Sequence, residues 1–201
     1  MPYSRQHPSP RYHELLEQYK QMQDEKKFPG IGAYRFRKEI RTLVKETGSS
    51  HLLDYACARG VQFSPHHPKA LFSKLGVFCE SWAEALGVER LDGYDPAVVD
   101  YATLPLGKFD GVYSIDMCEH IAEDDLPWVI EEIFSYAKKF VFLTVATVPA
   151  KKNLPNGENA HVTLHSPEWW MALIDDVAKQ YPHVRYQVIF ESGEEKLKYA
   201  Q

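Results

Sequence analysis

The feature of the sequence that most constrains the fold is the run FVFLTVATV at residues 140–148, which is apolar and rich in β-branched side chains. A strand without a polar face is typical of the centre of a parallel sheet, where helices cover both sides. Shorter apolar strands are predicted at 51–56, 88–94 and 109–115, and stretches with helical spacing separate them. This alternation predicts a doubly wound, Rossmann-like α/β sheet that is mostly parallel.

Helical periodicity and turn residues predict the remaining elements. Helices are predicted at residues 11–27, 34–47, 82–86, 123–138 and 167–181, and a terminal antiparallel hairpin at 184–190 and 194–199. We therefore expect a single domain over 1–201. Within it, two helices at 1–48 would form an N-terminal cap on an α/β core at 49–201.

Composition excludes several classes of protein. A chain of 201 residues has the size of one domain, and its net charge of −5 argues against a duplex-DNA binder. The longest apolar run is too short to span a bilayer, and the first residues lack the apolar core of a signal peptide. Cys57, Cys79 and Cys118 have neither disulfide nor zinc-finger spacing, which favours a cytoplasmic protein with reduced thiols.

Two acids mark the ends of the first two predicted strands. In a doubly wound sheet, ligands bind beyond the carboxyl ends of the strands. Asp54 ends the first strand, and small residues follow it as far as Gly60, where they allow the backbone to approach a ligand closely. Asp95 ends the second strand, and an acid at that point can accept hydrogen bonds from a ribose diol. A nucleoside-containing cofactor is therefore expected here.

With the segment FDGVYSIDMCEHI at 109–121, these residues resemble the S-adenosylmethionine-binding motifs of class I methyltransferases. Those motifs are a DxGxGxG loop, an acid closing the second strand and an FDxVxSxxxxEHI segment, and the resemblance covers residues 34–190. It implies S-adenosyl-L-methionine as cofactor, with Asp54 supporting the loop and Asp95 binding the ribose hydroxyls. The cofactor contacts that it implies are Asp54, Tyr55, Ala56, Cys57, Ala58, Gly60, Asp95, Ala102, Thr103 and Asp116.

The sequence departs from this pattern in two respects. Ala56 and Ala58 stand where the first two glycines are expected, which costs nothing sterically if φ is negative but adds methyl groups facing the ligand. The 41 residues from Asp54 to Asp95 are about twice the usual spacing, and the excess at 61–80 is expected to form part of a substrate lid. A GxGxxG dehydrogenase is disfavoured, because the small residues are spaced wrongly for that motif.

A cluster of acids and histidines follows the 109–115 strand. Asp116, Glu119 and His120 can converge on one helical turn, and His161 lies in the long connection after the 140–148 strand. Oxygen and nitrogen donors together suit Mg²⁺, Mn²⁺ or Zn²⁺. The segment resembles the ExxEH and later histidine of small-RNA 3′-terminal 2′-O-methyltransferases and ubiquinone-pathway O-methyltransferases. The resemblance implies all four residues as metal ligands. Without a metal, His120 or His161 would be the general base, and Asp116 would contact substrate.

The acceptor expected from these features is a hydroxyl group of a small molecule or a glycan. The chain lacks the (N/D)PP(Y/F) segment of amino methyltransferases of DNA and the ProCys nucleophile of 5-methylcytosine enzymes. Three alternatives stay open: an RNA 3′-terminal ribose as acceptor, a non-catalytic methyltransferase-like binding protein, and an enzyme that only cleaves the cofactor. Arg35 or Arg37 is a candidate partner of the cofactor carboxylate, and Tyr12, Tyr19 and Tyr34 are expected to cover the site.

Overall fold

The computed structural model describes residues 3–28, 30–63, 79–193 and 195–200, which form one six-stranded sheet with helices on both faces. The strands are β1 (His51–Tyr55), β2 (Arg90–Tyr94), β3 (Phe109–Ile115), β4 (Ala137–Ala146), β5 (Arg185–Ser192) and β6 (Glu195–Ala200). Their order is β2-β1-β3-β4-β5-β6, and all neighbours are parallel except β5 and β6. The predicted Rossmann-like sheet with a terminal antiparallel hairpin is confirmed.

The α-helices are α1 (Pro10–Asp24), α2 (Arg37–Thr47), α3 (Trp82–Leu86), α4 (Leu126–Tyr136) and α5 (Pro167–Ala178). Short 3₁₀ turns lie at Gly32–Phe36, Val61–Phe63, Val99–Tyr101, Cys118–His120 and Glu123–Asp125. Ser9 and Ser166 begin α1 and α5 by accepting hydrogen bonds from the amides of Tyr12 and Trp169. Gly48 ends α2 in the left-handed conformation that the sequence predicts.

Some helices begin or end at residues other than those that the periodicity predicts. The first helix stops at Asp24 instead of residue 27, because Lys26 is left-handed and the Lys27 amide reaches back to the Met22 carbonyl. Residues 34–36 belong to a 3₁₀ turn before α2. Helix α4 ends at Tyr136, two residues early, because buried Ala137 already pairs with Phe109 as the first residue of β4.

The core has two large clusters, one on each face of the sheet. Alternate residues of β4 point to opposite faces, so Val141 and Leu143 pack with α4 and α5, while Phe142 packs with α2 and α3. This explains why the 140–148 run has no polar side. The buried side chains of α2 belong to the second of these clusters, so this N-terminal helix is part of the packing of the sheet.

The sheet reverses its order at β1, whose two neighbours are β2 and β3. A crevice opens beyond the carboxyl ends of the strands at such a switch point. Helix α1 is anchored nearby, because the amide and hydroxyl of Ser9 both donate to the buried carboxylate of Asp125. All three cysteines are unpaired. None of the helices in the described ranges has the length and apolarity needed to cross a bilayer.

Candidate functional site

A cavity of about 520 Å³ lies at this switch point. Its walls come from the ends of β1, β3 and β4, from α1 and from the connection after β4. Of the predicted cofactor contacts, it is lined by Asp54, Tyr55, Ala56, Cys57, Ala58, Asp95 and Asp116. The predicted acid–histidine residues Glu119, His120 and His161 line it too. One cavity therefore joins both groups of residues that the sequence singles out.

The loop after β1 has the backbone conformation of a glycine-rich loop. Ala56 and Ala58 have φ values of 69° and 50°, and Gly60 has 59°. The negative φ at which alanine would cost nothing sterically is therefore not found at either position. The amides of Ala56 and Cys57 both donate to the Tyr94 carbonyl, which holds the loop against the end of β2. An alanine in the left-handed backbone conformation costs roughly 1–2 kcal/mol, so the conformation of this loop lowers the stability of the folded protein.

Asp54 supports the loop from beneath. Its Oδ2 accepts hydrogen bonds from Gln62 Nε2 at 2.8 Å and from the Tyr113 hydroxyl at 2.9 Å. Gln62 also donates to the carbonyl of Cys57, which connects the acid to the loop. Burial raises the pKa of Asp54 to about 7, although both hydrogen bonds oppose the rise. Sequence reasoning missed Gln62, since no local pattern marks it.

Asp95 fastens the same loop from the neighbouring strand. Its Oδ2 accepts from the amide of Ala58 at 2.8 Å, and its Oδ1 accepts from the amide of Ala97 at 2.8 Å. Burial raises the pKa of this carboxyl, and the two amide hydrogen bonds oppose the rise. Each carboxylate oxygen can accept more than one hydrogen bond, so Asp95 can also meet a ligand in the cavity.

Three predicted cofactor contacts do not reach the cavity. Ala102 and Thr103 are exposed and are absent from its lining. Gly60 faces Tyr101, whose hydroxyl and ring occupy the space that a Cβ at this position would need. The predicted lid at 61–80 falls mainly outside the described residues. The resemblance implied these three contacts from their places in the sequence motifs, which do not determine where a loop folds.

Glu119, His120 and His161 form a compact triad. One ligating atom from each lies within 4.8 Å of the others. Glu119 is fully buried, and its Oε1 accepts from the amide of Ala146 at 3.1 Å and lies 4.0 Å from His161 Nε2. Its Oε2 has no hydrogen-bond partner among the described residues. Burial raises the pKa of this carboxyl well above its usual value, so a cation that binds there would have to displace a proton.

Backbone carbonyls select the same tautomer of both histidines. Nδ1 of His120 lies 2.7 Å from the carbonyl oxygen of Ala160, and Nδ1 of His161 lies 2.6 Å from that of Val148. A carbonyl oxygen can only accept, so both Nδ1 atoms carry the proton and both Nε2 atoms keep a lone pair. Burial lowers the pKa of His120 to about 4, which keeps its ring neutral. Both rings are thus prepared as ligands or bases.

Asp116 does not join the triad, so the structure brings together three of the four expected ligands. Asp116 is left-handed, with a φ of 50°, and the turn that follows is a 3₁₀ turn instead of an α-helical one. Its Oδ1 accepts from the Thr144 hydroxyl at 2.6 Å, and its Oδ2 pairs with Arg35. Arg35 also donates to Glu191 at 2.7 Å. Arg35, the candidate partner of a cofactor carboxylate, is therefore already paired with Asp116 and Glu191.

Two of the three tyrosines expected above the site are found there. Tyr12 and Tyr19 of α1 line the cavity. Tyr34 instead packs edge-on against Trp82 in the α2–α3 cluster.

No protein-family model matches this sequence, and no curated protein is significantly similar to it. The fold defines the chain as a Rossmann-like α/β protein with a switch-point cavity. That cavity brings Asp54 and Asp95 together with Glu119, His120 and His161.

Proposed function

We propose that this protein is an S-adenosylmethionine-dependent methyltransferase that acts on a hydroxyl group of a small molecule, assisted by a divalent cation at Glu119, His120 and His161. The observation that carries the proposal is the single cavity shared by Asp54, Asp95 and this triad. Methyl transfer is an in-line displacement, which needs donor and acceptor held side by side with water excluded. A shared cavity allows donor and acceptor to lie side by side.

The residues at one end fit the cofactor. Left-handed backbone at Ala56 and Ala58 turns the loop after β1 around the cavity. Asp95 lies at the end of β2, where a carboxylate can accept from ribose hydroxyls. Asp54 lies beneath the loop and accepts a hydrogen bond from Gln62, which also donates to the loop.

The residues at the other end fit a divalent cation. Glu119 supplies a buried carboxylate oxygen with no other partner in the described ranges, and one ligating nitrogen of each histidine lies within 4.8 Å of a carboxylate oxygen of Glu119. Histidines that bind metals in proteins almost always donate their second N–H to a carbonyl or carboxylate, as both do here. Two nitrogens and one oxygen with open positions suit Zn²⁺, Mn²⁺ or Fe²⁺ better than Mg²⁺.

When bound, the cofactor supplies an electrophilic methyl group and the cation supplies Lewis acidity that lowers the pKa of an acceptor hydroxyl. The chain itself supplies three things. Glu119 and the two histidines hold the cation, α1 covers the cavity with Tyr12 and Tyr19, and Asp95 orients the cofactor. Without a cation, the bare Nε2 of His161 or His120 would accept the proton of the hydroxyl.

A second candidate is a non-catalytic binding protein. It is favoured by the Ala56 and Ala58 methyl groups beside the cavity and by the pairing of Arg35 with Asp116 and Glu191. Affinity for the cofactor separates the two candidates, because a pseudoenzyme with this altered loop would bind it weakly or not at all.

Calorimetric titration with S-adenosylmethionine and S-adenosylhomocysteine tests the cofactor site. We expect micromolar binding of both. Asp95→Asn should weaken binding at least tenfold, since a hydrogen bond to a charged group is worth about 1.5–3 kcal/mol. Asp100→Asn, an exposed acid on the following turn, is the matched control and should leave affinity unchanged. No binding by the folded wild-type protein would leave the binding-protein candidate in its place.

Titration with Zn²⁺ and Mn²⁺ after EDTA treatment tests the triad separately. One equivalent should bind, and Glu119→Gln or His161→Gln should lower the affinity by more than tenfold. His13→Gln changes an exposed histidine of α1 and serves as control. Equal affinity in all four proteins would show that the triad is not a metal site.

A further inference from the structure

Helix α1 and residues near it line one side of the cavity, where Tyr19 contacts His120 of the triad. Beneath α1 this side is bounded mostly by apolar side chains, namely Tyr12, Leu15, Leu16, Phe28, Ile121 and Val129. The lining contains more acids than lysines, because Asp54, Asp95, Asp116, Glu119 and Glu191 face the cavity with Lys151 and Lys152. Lys152 lies at the edge, where its ammonium group is held over the ring of Phe28, 4.2 Å from the centroid, and donates to a backbone carbonyl. An anionic ligand would therefore be disfavoured inside.

One polar side chain interrupts this apolar wall. Gln23 is 8% exposed, lines the cavity and stands one helical turn after Tyr19 on α1. Its Oε1 has no hydrogen-bond partner among the described residues. A buried amide oxygen without a partner destabilises a protein, and an apolar residue of similar size would be better tolerated there. Rotation of the amide offers either its oxygen or its NH₂ group to a ligand.

We propose that this half of the cavity binds a small, uncharged, mainly apolar molecule and that Gln23 selects it through a hydrogen bond to a polar group of that molecule. This binding site rests on the proposed function in one respect only, which is the identification of the bound molecule as the methyl acceptor. A pocket with apolar walls and a few placed polar groups is the usual construction of a small-molecule site. A site built around a hydrogen bond rejects analogues that lack the bonding group, because its own polar atom is then left unpaired.

Fluorescence titration with 2-naphthol and 2-methylnaphthalene tests the selection. The two probes have nearly the same shape and differ by a hydroxyl against a methyl group. We expect the wild-type protein to bind 2-naphthol about tenfold more tightly. Gln23→Leu should reduce this preference to less than about twofold by gaining affinity for the methyl probe. Gln21→Leu lies on the same helix, faces solvent and should keep the wild-type preference.

A stability measurement makes the test independent of any ligand. Gln23→Leu should raise the Tm of the ligand-free protein by about 2–4 °C, because it removes a buried amide oxygen that has no partner. Gln21→Leu should not. A lower Tm for Gln23→Leu would mean that the amide has a structural partner and would overturn the proposal. The same conclusion follows if neither probe binds, if both variants keep the wild-type preference, or if a trinucleotide RNA binds more tightly than 2-naphthol.

These outcomes are distinct from failure of the proposed function. If S-adenosylmethionine does not bind but the preference for 2-naphthol depends on Gln23, methyl transfer is excluded and the binding site stands. If the cofactor binds but the preference for 2-naphthol is absent, the proposed function stands and the binding site at Gln23 is excluded.

Discussion

The hydroxyl of Tyr19 lies 2.8 Å from Nδ1 of His120, and both groups share the carbonyl oxygen of Ala160. Three separate parts of the chain meet at this point: α1, the turn after β3 and the connection after β4. Because Tyr19 donates its proton to the carbonyl, its own oxygen can accept from Nδ1–H. The orientation of a triad histidine therefore depends on the placement of the N-terminal helix.

Removing this hydroxyl should loosen the triad. Tyr19→Phe keeps the ring contacts with Phe28 and His120 but loses the hydrogen bonds. We expect Zn²⁺ affinity to fall about tenfold, as is typical when the outer partner of a ligating histidine is removed. Tyr181→Phe, a tyrosine that packs against Phe134 and does not line the cavity, is the control. Unchanged affinity in Tyr19→Phe would mean that α1 plays no part in holding His120.

The anchor of α1 should be important for stability. The carboxylate of Asp125 is fully buried and accepts from the amide and hydroxyl of Ser9 and from Trp128 Nε1. Asp125→Ala leaves these buried donors without an acceptor. It should lower the free energy of unfolding, measured with urea, by about 3–4 kcal/mol. It should also speed amide hydrogen exchange in α1. Asp124→Ala changes the exposed neighbouring acid and should cost less than about 0.5 kcal/mol. Comparable losses in the two variants would contradict the anchoring role.

The loop after β1 should gain stability from glycine. Ala56→Gly and Ala58→Gly relieve left-handed alanine, and each should raise the free energy of unfolding by about 0.5–1 kcal/mol after the greater freedom of unfolded glycine is subtracted. Ala172→Gly, at an exposed position inside α5, should lower it by about 1 kcal/mol. Thermal unfolding measures all three. Destabilisation of all three variants alike would argue against the left-handed backbone of the loop.

Stability should depend on pH through Asp54. Burial raises its pKa from 3.8 to about 7, so between these values the folded protein holds a proton that the unfolded chain has released. The stability that this group contributes is complete below about pH 4 and is lost as pH rises to 7. A shift of about three pKa units corresponds to about 4 kcal/mol.

Asp54→Asn removes this dependence. The stability of the wild-type protein relative to the variant should therefore grow by about 4 kcal/mol as pH falls from 7 to 4. Urea unfolding over this range measures the difference. Asp100→Asn, at an exposed acid, should keep a constant difference from the wild type. If the free energies of unfolding of Asp54→Asn and the wild type differ by the same amount at every pH, the carboxyl has an ordinary pKa in the folded protein.

The sequence by itself determined the type and order of the elements. The bounds of β3 and α3 agree with those predicted, and β4 was recognised as a central strand because its side chains are buried on both faces. It also placed Asp54 and Asp95 at strand ends, because strand direction follows from the alternation of strands with helices. These properties depend on residues close together in the chain.

Tertiary structure alone decided which side chains meet. Asp116, three residues from Glu119, is drawn away by Thr144 and Arg35, while His161 arrives from 42 residues further along the chain. Tyr19 and Gln23 acquire their roles only because α1 folds over the cavity, and the left-handed backbone of Ala56 and Ala58 is imposed by hydrogen bonds to the neighbouring strand. Periodicity reports which face of an element is buried, but partners across a cavity are selected by packing between distant segments, and local sequence does not encode that packing.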